Sequence, residues 1–124
     1  MGSTGSGSLS DYPGYEKARR GIVGDSDIID QCERAVSTYL EDVAISSYFK
    51  QNGNVPSINT VVFIKHDFRI VAVDENGVII GNLPTKYNYL LGCLNDGFIY
   101  EGQVIISHDV PLPYVEIAVT PKKI

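Results

Sequence analysis

Residues 66 to 84 read His-Asp-Phe-Arg-Ile-Val-Ala-Val-Asp-Glu-Asn-Gly-Val-Ile-Ile-Gly-Asn-Leu-Pro, and they restrict the fold more than any other stretch. Two runs rich in β-branched residues flank Asn76-Gly77. An Asn-Gly pair between such runs suits a tight hairpin, because the favoured two-residue turns need positive φ at their centre. Gly81-Asn82-Leu83-Pro84 then reads as the entry to a helix, with proline near the first turn. A strand, a turn, a short strand and a helix entry are thus written in order.

The flanking sequence extends this pattern. β-Branched and aromatic residues predict strands over 60–65, 68–73, 78–80, 99–107 and 114–119. Val115, Ile117 and Val119 alternate with Tyr114, Glu116 and Ala118, the period of a half-buried strand. His66-Asp67 is either a turn between two strands or a bulge in one long strand. Leu83, Tyr87, Leu90, Leu91 and Leu94 share one face of a helix that ends before Gly97. A longer helix is expected to start at Asp25-Ser26-Asp27, where acidic and capping side chains suit the dipole. Its stripe runs through Ile28, Ile29, Cys32, Ala35, Val36, Tyr39, Leu40 and Val43. Residues 43–49 either continue that helix or form a short strand. The predicted fold class is therefore α+β, a small curved antiparallel sheet or partly open barrel of about five strands with two main helices.

Residues 1–14 have linker composition and are expected to be a flexible tail or a cloning linker, with one α+β domain over 15–124. With 44% hydrophobic residues among 124, the domain can bury a core without staples. Cys32 and Cys93 lie far apart with no CxxC spacing, and the expectation is two reduced thiols. No charged-then-apolar leader opens the chain and no apolar run approaches a membrane span, so a cytoplasmic location is expected.

Ten Lys+Arg stand against fifteen Asp+Glu, a balance that opposes broad duplex binding through phosphates. It leaves room for a small local site. Enzyme chemistry has little to work with. Gly-Ser alternation occurs only at Gly5-Ser6-Gly7-Ser8, which is linker and not a nucleophile elbow. Neither a phosphate loop nor a dinucleotide fingerprint is present. His66-Asp67 and His108-Asp109 are too few for a metal set, and no carboxylate pair has an acid-base spacing. The expectation is a binding function without catalysis, cofactor or metal.

The hairpin and the residues after it resemble the HIRAN domain, a small barrel-like module that binds the 3′ end of single-stranded DNA in remodelling helicases. The family's core reads aromatic-Asp-x-Asn-Ala-Ile-x-Val, a turn, Gly-x-Val-Gly-Tyr-Leu-Pro, then a helix and two strands. His66-Asp67-Phe68-Arg69-Ile70-Val71-Ala72-Val73 falls on the first part, and Gly77-Val78-Ile79-Ile80-Gly81-Asn82-Leu83-Pro84 on the second. The resemblance spans roughly 60–120. Arg69 replaces the family's Asn, Asn82 replaces its Tyr, and Lys65 stands where the family has a longer Asp-Pro-rich loop.

The resemblance implies that Asp67 accepts a hydrogen bond from a terminal sugar hydroxyl, with His66 in place of the ring that stacks on the last base. Lys65, Arg69 and Lys86 would supply positive potential. The expected nucleic-acid site is thus His66, Asp67, Arg69 and Lys86. The alternative is a protein-interaction or homodimerisation module, with the first helix and its acidic outer face as the contact surface.

Overall fold

Where β-branched runs find neighbours, they become strands. The computed structural model describes residues 31–123. The chain divides into two compact units, Met1–Arg34 and Ala35–Ile124, and all the strands and helices named below belong to the second. The strands are β1 (Val36–Tyr39), β2 (Val61–Asp67), β3 (Arg69–Val73), β4 (Ile79–Asn82), β5 (Phe98–His108) and β6 (Tyr114–Lys123). They form one antiparallel sheet in the order β1-β6-β5-β2-β3-β4. Two short helices accompany it, α1 (Ser47–Asn52) and α2 (Leu90–Asn95).

The sheet curls into a half-barrel, and backbone bonds draw its two edge strands together. Beyond β1, Leu40 N–H donates to Val115 of β6 at 2.9 Å. Glu41 and Asn82 of β4 then exchange N–H to C=O bonds of 2.7 and 2.9 Å. Gly81 makes this crossing possible. A β-carbon there would lie 2.9 Å from Leu40 Cβ and 3.0 Å from the Glu41 carbonyl oxygen, closer than real contacts allow. Val62, Ile64, Ile80, Leu83, Leu90, Tyr100, Val104 and Ile117 fill the interior. Val115, Ile117 and Val119 are buried in alternation along β6, as their spacing predicts.

The expected helix over 25–43 is corrected where it can be seen. Residues 25–30 lie outside the described residues, as does the expected tail over 1–14. Gln31 and Cys32 are helical, but 36–39 form β1. Val36, Thr38 and Leu40 point inward and Ser37 and Tyr39 outward, a period of two inside a sequence that also fits 3.6. Pairing with β6, Val36 opposite Val119 and Thr38 opposite Ile117, supplies a partner that a lone helix would lack. The acidic helix face offered as a protein-contact surface is therefore absent over 36–39.

Residues 43–49 are helical in two pieces, a 3-10 turn over Val43–Ile45 and the start of α1. Ser46 Oγ caps α1 by accepting from Phe49 N–H at 3.2 Å. Gly53 ends it in left-handed backbone. The expected helix over 83–94 is likewise split, into a 3-10 turn over Thr85–Tyr87 and then α2. The turn at Asn76-Gly77 is one residue wider than the two-residue form. Asp74 and Val78 close it, Gly77 alone has positive φ (83°), and Asp74 Oδ1 accepts from Asn76 and Val78 N–H at 2.9 Å each. Its carboxylate does the holding that a left-handed asparagine would otherwise do.

The two cysteines are not thiols. Cys32 and Cys93 are both disulfide-bonded, which corrects the expectation of two reduced thiols.

Candidate binding site at the barrel mouth

Strand alternation decides which way each candidate residue faces. Val62 and Ile64 are buried on the inner face of β2, and His66 is the next residue of that row. It sits opposite the buried Ile70 of β3. His66 is exposed only because the row has run past the core to the open end of the barrel. Lys65 and Asp67 occupy the intervening positions and belong to the outer face. The dipeptide His66-Asp67 is therefore strand, and its two side chains leave the sheet on opposite sides.

β2 and β3 reverse direction at a single residue. Asp67 pairs with Arg69, and Phe68 between them has φ of 62°. Its ring is 99% exposed, so the hairpin tip presents a bare aromatic face beside His66. Sequence reasoning missed Phe68 by assigning it to the start of a strand. The available signal was the lack of any spacer between two strand-forming runs, which forces a tip residue into unusual backbone.

Arg69 is already engaged. Its Nη2 donates to Glu41 Oε1 at 3.0 Å and to the Leu83 carbonyl at 2.8 Å. Nη1 lies 4.0 Å from Asp42 Oδ2, which in turn accepts from Asn82 Nδ2 at 2.9 Å. The guanidinium thus ties the hairpin to the segment that closes the barrel. Much of its charge is balanced by Glu41 and Asp42, neither of which the sequence reading had singled out.

A cleft of about 380 Å³ opens beneath the tip. Ile70 and Leu91 form its apolar part, Thr85 and Asn88 add polar groups, and His66, Phe68 and Arg69 complete the lining. Lys86 is next to Thr85 but does not line the cleft; its Nζ lies 5.3 Å from the Tyr87 ring centroid. Tyr87, at the end of the 3-10 turn, and Tyr89 have ring centroids 6.4 Å apart. Of the four expected site residues, the cleft brings together His66 and Arg69. Asp67 lies on the same hairpin but on its other face, and Lys86 flanks the cleft from outside. No protein-family model, curated protein or solved structure matches the chain.

Proposed function

We propose that this chain is a non-catalytic binding module, HIRAN-like in its use of the β2–β3 hairpin, that receives the end of a nucleic-acid single strand at the barrel mouth. The observation that supports this reading best is Phe68, a fully exposed ring held in left-handed backbone beside His66 and over a cleft. Stacking a base on a side-chain ring contributes about 1–3 kcal/mol and tolerates any base. A cavity near 380 Å³ lies within the usual range for small-ligand sites. Asp67, on the outer side of the tip, is the acceptor available to a terminal sugar hydroxyl. With Arg69 committed to Glu41, Lys65 and Lys86 are the cations left near the path of the strand.

The test is fluorescence anisotropy with a short labelled oligonucleotide carrying a free 3′ hydroxyl, beside the same strand blocked at that hydroxyl. Binding in the micromolar range is expected, weakened about tenfold or more by Phe68→Ala and by His66→Ala. Asp67→Ala should erase the difference between free and blocked ends. No binding at micromolar protein, or indifference to all three substitutions, removes the reading.

A second reading, a homodimerisation module, draws on Val110 and Leu112, which are 77% and 73% exposed in the β5–β6 connection. A concentration-independent monomer mass in solution would eliminate it. For location, among the described residues no helix is long and apolar enough to cross a membrane. The cytoplasm remains the proposed site, and it is a demanding one, since reducing compartments oppose disulfide bonds. Cell fractionation against compartment markers tests it: recovery with the cytoplasmic fraction supports it, and recovery with a secreted or membrane-enclosed fraction refutes it.

A further inference from the structure

A groove of about 510 Å³ runs between β2 and the start of β5, with α2 as its floor. Ile64 and His66 border it from β2, Phe98 and Ile99 from β5, and Leu91 and Leu94 supply the floor. The two leucines are three positions apart on one turn of α2 and so share a face. Gly97, at φ of 98°, then turns the chain from α2 into β5 and brings Phe98 alongside them. Leu91, Leu94 and Ile99 are half-buried, so part of this apolar lining is open to solvent. A cleft of this volume and lining has the size of a small-molecule site.

Its charge runs against that of the chain. Acidic residues outnumber basic ones fifteen to ten, yet no Asp or Glu lines the groove. Lysine borders it instead. Lys123 pairs with Phe98 across the β5–β6 ladder, which puts both side chains on one face of the sheet. Its Nζ lies 5.3 Å from the centroid of the Phe98 ring, so an ammonium stands over a ring that lines the groove. Lys65 adds a second cation on the β2 side, and Asn95 a side-chain amide. Among the described residues neither lysine makes an ion pair, unlike Arg69. An apolar floor beside uncompensated positive charge is complementary to a molecule with an apolar body and one negative head.

We propose that this groove binds a small amphipathic anion of the straight-chain carboxylate class, its tail on Leu91 and Leu94 and its carboxylate beside Lys123. The inference stands apart from the nucleic-acid reading. The two clefts share only His66 and Leu91, and Lys123 belongs to neither the β2–β3 hairpin nor the cleft beneath it.

The probes are hexanoate, octanoate and decanoate, titrated into the full ¹⁵N-labelled chain. Amide shifts are expected at 64–66, 91–99 and 122–123. Affinity should rise about twofold to fourfold per methylene, the upper figure corresponding to ~0.8 kcal/mol for a fully buried CH2. An acidic protein attracts cations in general, so octylammonium, the same chain length with its charge reversed, is the control. It should bind about fivefold or more weakly than octanoate, and Lys123→Gln should narrow that gap about threefold. Phe68→Ala should leave octanoate affinity within twofold while weakening the oligonucleotide, so the two readings fail separately. No shifts at millimolar decanoate, affinity indifferent to chain length, octylammonium binding as well as octanoate, or an unchanged gap in Lys123→Gln would each overturn the proposal.

Discussion

At Phe68 the backbone takes φ of 62°, which a β-carbon disfavours, and the 99% exposed ring gains no packing in exchange. Left-handed backbone costs a non-glycine residue about 1–2 kcal/mol. Glycine avoids that cost but loses about 0.5–1 kcal/mol of backbone entropy on folding. Phe68→Gly should therefore leave the melting temperature unchanged or raise it by a few degrees, while oligonucleotide binding falls about tenfold or more. Opposite movements in stability and binding identify a residue kept for its ring; a drop in both would make Phe68 structural. Tyr100 shows the reverse economy. It is fully buried, and burial first, with Tyr89 second, pushes its phenol up to about 12 from 10.0. Below pH 10 both folded and unfolded chains hold this proton, so stability is unaffected there. Between 10 and 12 the unfolded chain releases it and the folded chain does not, so stability falls as pH rises. Thermal melts across that window should show the decline, and Tyr100→Phe should flatten it.

Among the elements, the β5–β6 ladder is the least tolerant of change. Gly102 lies opposite Val119, and a β-carbon there would meet the Ala118 carbonyl oxygen at 1.8 Å and Val119 Cα at 2.6 Å. Backbone cannot swing aside as a flexible side chain can. Gly102→Ala should cost at least the 1–3 kcal/mol typical of overpacking, roughly, with urea denaturation as the measure. A midpoint unchanged from the parent would show that the strands can separate locally. The same ladder explains what was legible in sequence. Strands β2 to β6 follow from β-branched runs and alternation, since each finds a partner close by in sequence or by a hairpin. β1 does not, because Val36 and Tyr39 also fit a helical stripe with Leu40 and Val43, and only β6, some eighty residues on, makes 36–39 a strand. The split helix over 83–94 was legible as an apolar face but not as two pieces. At the candidate cleft, the placement of His66 and Arg69 on one hairpin was readable in the sequence. Phe68 and the Glu41 clamp on Arg69 were not, because one depends on a turn one residue long and the other on contact across 28 positions.

Taken whole, the molecule is acidic, at formal charge −5, and at its candidate site the single Arg69 faces two carboxylates, Glu41 and Asp42. On the proposed nucleic-acid reading, those two facts set how a strand would be held. A protein that grips nucleic acid by phosphates releases counterions, and its affinity drops steeply with salt. With six to ten contacts the loss between 50 and 200 mM is about a thousandfold to a hundred-thousandfold. Here Lys65 and Lys86 are the cations beside the mouth that the barrel closure does not use, so the proposed mode would neutralise about two phosphates. For a single strand the slope of log affinity against log salt is then roughly −0.7 per phosphate, or about −1.4 in total. Affinity for the 3′-hydroxyl oligonucleotide should fall less than about tenfold over that salt range, and doubling the length of the strand should not steepen it. Lys65→Gln and Lys86→Gln should each flatten the slope by about half while preserving discrimination of the 3′ end, which the proposal assigns to Asp67 and not to the lysines. A slope several times steeper, growing with strand length, would mean that the strand runs along the surface of the barrel, and stacking at Phe68 would then be incidental.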